Sequence, residues 1–247
     1  MEQHIQPLGD TGIQLSFGTE ISKETNKQIR RFHEYLKQDA IPGIIESVPA
    51  YTSLSIFYDP FTISYDELVS VLKDRQHRLD EIELPSALIY EIPVLYGSEV
   101  GPDLADVAAH NGLTEEDVIA LHSSNDYLIY MMGFVPGFPY LGGMTTKIAT
   151  PRLENPRAKV EAGSVGIAGE QTGIYPLESP GGWRLIGKTP ITLYDPERTP
   201  PALFSTGNYL RFTPITADEY DEISQQVEDG TYKIQTYEAR EEIDNCF

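Results

Sequence analysis

Apolar and polar residues alternate over 5–17, with Ile5 and Leu8 before Gly9-Asp10-Thr11-Gly12 and Ile13, Leu15 and Phe17 after it. That is the pattern of a strand pair about a turn. From Ser22 the period changes. Ile29, Phe32 and Leu36 recur at helical spacing and predict a helix to about residue 39, stopped by Pro42-Gly43. Two strands follow, over 44–48 and 53–58, around Pro49-Ala50-Tyr51. Ser64 and Glu67 form a capping box for a second helix carrying Leu68, Val69, Leu72 and Leu79. Residues 87–95 read as one more strand. The order β-α-β-β-α-β is that of a ferredoxin-like α+β domain, here assigned to 1–98.

The pattern then shifts. Residues 101–123 predict two short helices, the first over 103–110 and ended by Asn111-Gly112, the second starting at Leu113-Thr114 with Glu115, Glu116 and Asp117 in its first turn. Beyond them, short apolar runs at 127–134, 164–168, 173–175, 183–186, 191–194 and 208–214 read as strands separated by turn signals. Thr216 caps a last helix with Tyr220, Ile223 and Val227 on one face, and 232–237 closes as a strand. Many short strands predict a β-barrel or sandwich for a second domain, 99–247.

Within that domain, 132–190 departs from both periods. Glycine and proline are packed there with Phe134, Phe138, Tyr140, Val165, Ile167, Tyr175, Trp183 and Ile186. A flexible linker would be polar; this composition describes specified turns and short strands. Phe134, Phe138, Tyr140, Tyr175 and Trp183, interleaved with Pro136 and Pro139, either line a groove for a small ligand or peptide or belong to the core. The segment 163–169, GSVGIAG, reads as a tight barrel corner.

Charge narrows the partners. Of 247 residues 18 are Lys or Arg and 38 are Asp or Glu, a formal net charge of −20. Nucleic acid and anionic lipid both require a basic surface, so neither is expected as the main partner. No apolar run approaches a membrane span and the N-terminus lacks the pattern of a secretory signal, so the expected location is the cytoplasm. The single cysteine, Cys246, permits no intramolecular disulfide. Against the acidic background, Arg152 and Arg157 in matching Pro-Arg frames and Arg184 after Pro180-Gly181-Gly182-Trp183 stand out. They either grip a carboxylate or phosphate or pair with local acids such as Glu154, Glu161, Glu170 and Glu178.

Two further patterns are weaker. GWRLIGKT (182–189) matches the P-loop letters, but Pro190 and the strand-like ITLYD follow where the phosphate cradle needs a helix N-terminus. The histidines His4, His33, His77, His110 and His122 are scattered without metal-ligand spacing, so no metal site is expected.

GFVPGFPYLGG (133–143) and TPRLENPRAKVEAGSVGIAGEQTGIYPLESPGGWRLIGKTP (150–190), together with the β-α-β-β-α-β leader, resemble the allophanate hydrolase subunit 1 family. That family includes B subunits of 5-oxoprolinase and KipI, an inhibitor of a sporulation histidine kinase. The resemblance implies a C-terminal cyclophilin-like β-barrel after the α+β domain. It also implies two partner proteins: the C subunit, a homologue of allophanate hydrolase subunit 2, and the A subunit. One departure is Glu161, which stands in VEAGSV where family members commonly carry proline.

Two functions follow from the resemblance. The first is the B subunit of an ATP-dependent 5-oxoprolinase, active only with its partners. ATP and Mg²⁺ would serve the assembled complex, since no residue of this chain forms a persuasive site for either. Arg152, Arg157 and Arg184 would stabilise developing charge, with Gln171 and Tyr175 as hydrogen-bonding aids. The second is a binding module that inhibits a sensor histidine kinase, seizing a proline-bearing segment in a groove of Phe134, Phe138 and Trp183.

Overall fold

The computed structural model describes residues 4–75, 79 and 82–239. His77 and Cys246 lie outside the described residues. The chain divides into two compact units, 1–85 and 86–247.

In the first unit, β1 (His4–Pro7), β2 (Gly12–Ser16), β3 (Ile44–Pro49) and β4 (Ser53–Tyr58) form one antiparallel sheet in the order β1-β2-β4-β3. Helices α1 (Lys23–Gln38) and α2 (Tyr65–Arg75) cover it. Ser22 caps α1 by accepting from the Thr25 amide, and Ser64 and Glu67 close the expected capping box on α2. Ile13, Leu15, Leu54 and Ile56, at alternate strand positions, are fully buried with Ile29, Phe32, Leu68 and Leu72 of the helices. The two periods read from the sequence thus meet in one core.

The second unit contains β5 (Leu88–Tyr96), α3 (Leu104–Asn111), α4 (Glu115–Ser123), β6 (Asp126–Met132), β7 (Pro139–Gly142), β8 (Arg157–Val160) and β9 (Ser164–Ala168). It continues with β10 (Gln171–Ile174), β11 (Ser179–Gly181), β12 (Arg184–Lys188), β13 (Tyr209–Pro214), α5 (Ala217–Glu228) and β14 (Thr236–Glu238). Its main sheet runs β10-β9-β12-β5-β13-β6-β7, with β14 also on β5. The end strands β10 and β7 lie against each other, so the sheet nearly closes on itself as a barrel. Its interior is filled by Ile92, Val94, Ile129, Val165, Ile167, Ile174, Ile186 and Leu210, and α3 and α4 add Leu104, Val107 and Val118. Among the described residues no helix is long and apolar enough to cross a membrane.

One expectation changes. The strand read over 87–95 as the last of the ferredoxin-like order is β5, and it sits at the centre of the second unit's sheet. It pairs with β13 in parallel along one edge, and with β12 and β14 on the other. Ile92 and Val94 are fully buried among barrel residues. A strand buried and bonded on both edges belongs with its partners, and the chain divides at 85/86 where the sequence suggested 98. Residues 191–194, expected as a strand, contribute only an isolated bridge from Tyr194 to Ala202. The two-stranded ribbon of β8 and β11 had no signal in the alternation of so short a pair.

Candidate functional site

The β6–β7 hairpin carries the first half of the site. Within its loop the Gly133 amide donates to the Phe138 carbonyl at 3.2 Å, and the Phe138 amide to the Val135 carbonyl at 3.1 Å. The Val135 amide reaches back to the Gly133 carbonyl at 2.8 Å, closing a γ-turn centred on Phe134. Phe134 therefore sits at φ 67°, a region L side chains rarely occupy. The residue is 65% exposed, and its ring meets Phe138 edge-on with centroids 5.6 Å apart. Phe138 itself is buried and is the hub of the cluster, with ring centroids 5.1 Å from Tyr140, 5.8 Å from Trp183 and 6.1 Å from Tyr175. Edge-to-face contacts of this kind hold aromatic rings in fixed mutual orientation.

The β8–β11 ribbon supplies the facing wall. Beside it lies an open cavity of about 350 Å³, lined by Phe134, Phe138, Tyr140 and Tyr175, by the Pro180-Gly181-Gly182-Trp183 segment, and by Arg152. A Cβ on Gly181 would collide with the Tyr175 ring and hydroxyl, so glycine lets the two approach this closely. Burial pushes the Tyr175 phenol up from its ordinary pKa; a hydrogen bond with the Trp183 backbone and the charges of Arg152 and Arg157 act in the opposite direction. The lining contains no carboxylate, thiol or imidazole.

The three arginines have different fates. Arg152 is exposed and makes no hydrogen bond or ion pair with any described residue. Its backbone is nonetheless fixed on both sides: Arg184 Nε donates to the Pro151 carbonyl at 3.3 Å, and the Leu153 amide donates to the Gly182 carbonyl at 2.8 Å. Arg157 is bound to Asp103 at 2.8 Å and also donates to the Trp183 carbonyl at 3.4 Å. Asp103 is 5% exposed, and its other oxygen accepts from the Leu185 amide at 2.6 Å. Arg184 pairs with Asp106 at 2.9 Å.

The sequence placed all three arginines at one site; the structure brings only Arg152 to the cavity. The acids that take Arg157 and Arg184 are Asp103 before α3 and Asp106 in its first turn, 54 and 78 residues distant along the chain. Of the local acids expected as partners, Glu161 holds Lys188 at 2.5 Å and Glu178 holds Lys159 at 2.7 Å. Phe134, Phe138, Tyr175 and Trp183 do line the cavity, whereas exposed Pro136 and Gln171, the first residue of β10, do not. Asp103 and Asp106 are the partners of these arginines that sequence reasoning missed. Their signal was present as acids at a helix start, where the dipole alone already explains them.

A second polar cluster, around His122, is closed. The Thr172 hydroxyl donates to the Gly166 carbonyl at 3.0 Å, so it accepts from His122 Nε2–H at 2.7 Å. Nδ1 is then left to accept from the Tyr96 hydroxyl at 2.7 Å. Tyr127 donates to the His122 carbonyl at 2.7 Å, and the imidazole stacks on Phe212 at 4.4 Å. Complete burial lowers the imidazole pKa to about 3, and the ring is neutral. This histidine is core. Among the described residues no three His, Cys, Asp or Glu side chains converge on a metal-sized space.

Nucleotide chemistry does not fit these residues. The P-loop letters fall on β12, where Leu185 and Ile186 are buried and the chain passes into Pro190 without a helix. The cavity offers a single cation and no carboxylate to hold a magnesium ion.

A family model for the carboxyltransferase domain, subdomains C and D, matches residues 3–204. The chain is 45% identical over 227 residues to the 5-oxoprolinase B subunit of Bacillus subtilis, an alignment covering 87% of this chain and 94% of that protein. It is 41% identical over 208 residues to the 5-oxoprolinase B subunit of Escherichia coli O157:H7, covering 84% and 94%. Among solved structures, that of TTHA0988 superposes with a TM-score of 0.74 at 40% identity over 83% of this chain; the match spans 40% of TTHA0988.

Proposed function

The chain belongs to the carboxyltransferase family of subdomains C and D, alongside the bacterial 5-oxoprolinase B subunits, and from that premise we propose that it is the B subunit of an ATP-dependent 5-oxoprolinase. The reaction assigned to the complex is 5-oxoproline, ATP and two waters to glutamate, ADP and phosphate. The observation that carries the reading is the 45% identity extending over 94% of the Bacillus subtilis protein. The partners are homologues of the A and C subunits in a cytoplasmic complex, and the nearly closed barrel is taken as cyclophilin-like.

The cavity's chemistry sets the division of labour. It holds no nucleophile and no general base, because the buried Tyr175 phenol stays protonated. Nucleotide, magnesium and the bond-breaking groups therefore belong on the partners, and this chain contributes a shaped, positively charged pocket. Arg152 is the arginine that meets the ligand. Arg157 and Arg184 are positioning residues: the first fixes Trp183 and the second the backbone beside Arg152.

The test is co-expression with the A and C homologues and an assay of 5-oxoproline-dependent ATP hydrolysis, each component omitted in turn. Activity should vanish when this chain is left out. Full activity without it, or none from the assembled complex, would overturn the assignment.

A further inference from the structure

We propose that the aromatic cavity of this chain binds, by itself and without nucleotide, a small monocarboxylate with a compact ring, Arg152 taking the carboxylate and the Trp183–Phe138 pair bedding the ring. This deepens the 5-oxoprolinase assignment, on which the choice of 5-oxoproline as first probe rests.

The cavity leaves one cation unpaired. Arg157, Arg184, Lys159 and Lys188, the neighbouring cations of 152–188, each hold an acid. Arg152 alone among them is left with its five N–H donors directed to no described protein group, and it lines the aromatic-walled cavity. In a chain of net charge −20, a cation kept free beside apolar rings is a local reversal of the prevailing field. A planar guanidinium matches a carboxylate bidentately.

The number of cations then fixes the ligand's charge. One guanidinium with no second cation in the lining suits a monoanion better than a phosphate ester, which attracts clusters of donors. The rings fix its body. Trp183 and Phe138 stand at an interplanar angle of 87°, so the two lining rings meet as a right-angled corner. A five-membered ring presents an apolar face and rim to such a corner, and the cavity of about 350 Å³ is at the small end of ligand pockets. Phe134, exposed and held in its γ-turn at the mouth, is placed to cover the ring once it is seated.

The site is also pre-organised. The bonds from the Arg184 side chain to the Pro151 carbonyl and from the Leu153 amide to the Gly182 carbonyl hold the backbone on either side of Arg152, and Arg157 holds the Trp183 carbonyl, so little backbone freedom is lost on binding.

Trp183 is the only tryptophan of the chain, so its fluorescence in the full-length protein reports on this cavity alone. Titration with 5-oxoproline should give a saturable change. The neutral lactam 2-pyrrolidinone should bind about tenfold more weakly or worse, because it leaves Arg152 unpaired. Arg152→Ala should weaken 5-oxoproline binding about 10- to 100-fold and leave 2-pyrrolidinone unaffected, since a charged hydrogen bond is what is lost. Arg152→Lys should recover part of the loss, the charge without the fork. Equal binding of acid and neutral lactam, or an Arg152→Ala protein that binds as the parent does, would overturn the proposal. So would the absence of any saturable signal with 5-oxoproline and with the ring acids proline and 2-furoate.

The two proposals fail separately. A complex that turns over 5-oxoproline with an unchanged KM in Arg152→Ala removes this inference and leaves the 5-oxoprolinase assignment standing. An inactive complex, with Arg152-dependent binding of a ring carboxylate to this chain, does the reverse.

Discussion

Around His122 the polar atoms named above find partners inside the protein: Nε2 on Thr172, Nδ1 on Tyr96, the carbonyl on Tyr127, with Phe212 stacked on the ring. Around Phe138 the rings are packed as closely, yet the cluster stays open on one side, with Phe134 exposed and Arg152 unpaired. Both clusters combine aromatics with a nitrogen-bearing side chain in the same unit. The first is closed because a buried polar group without a partner costs more than folding can spare. The second stays open: Arg152 is exposed and makes no hydrogen bond or ion pair with any described residue, a state that solvent exposure makes inexpensive. What separates core from site here is therefore satisfaction of hydrogen bonds, and residue type is a poor guide.

The largest effect should come from breaking the closed cluster. His122→Ala would leave the Tyr96 hydroxyl without its acceptor and open a cavity beneath Phe212, and is expected to destabilise the protein by about 3–5 kcal/mol in denaturant unfolding. The same cluster sets a pH dependence. The folded-state pKa of His122, about 3, lies below its ordinary 6.5, so the unfolded chain binds the proton first. Its stabilising contribution is complete above pH 6.5 and is lost as pH falls toward 3. His33, lowered to about 4 by burial and then by Lys37, acts in the same direction in the first unit. Unfolding curves between those limits should show proton uptake on unfolding, and His122→Phe should reduce it by about one proton.

Arg157→Ala comes next, because it strands the buried Asp103 carboxylate. A loss of about 2–3 kcal/mol is expected, together with weaker ligand binding as Trp183 loses its anchor. Arg157→Lys should restore much of the stability, and less of the binding. Arg152→Ala closes the series. Its melting temperature should match the parent, within about 0.5 kcal/mol of stability, while ligand affinity falls. A large stability loss on Arg152→Ala would mean that the open cluster is in fact part of the core, and the comparison would collapse.

Local structure was legible where the signal is local. Ser22, Ser64 and Thr216 each act as the helix cap their neighbours predicted, since a capping bond spans three residues. The apolar alternation at Ile13 and Leu15 and at Leu54 and Ile56 named the buried face of the first sheet. That Phe134, Phe138, Tyr175 and Trp183 could line one groove was legible too, because those rings crowd a stretch with no regular period, and all four line the cavity.

The sequence by itself determined the caps, the two periods, the family and which rings could line one groove. Tertiary structure alone decided the partners of β5, the division at 85/86, and which one of three similar Pro- and Gly-flanked arginines stays free. The reason is reach. A cap or an amphipathic stripe is fixed within a few residues, whereas the hydrogen-bonding edges of β5 and the acids Asp103 and Asp106 are matched to partners 54 to more than 100 residues away, and only the folded chain makes them neighbours.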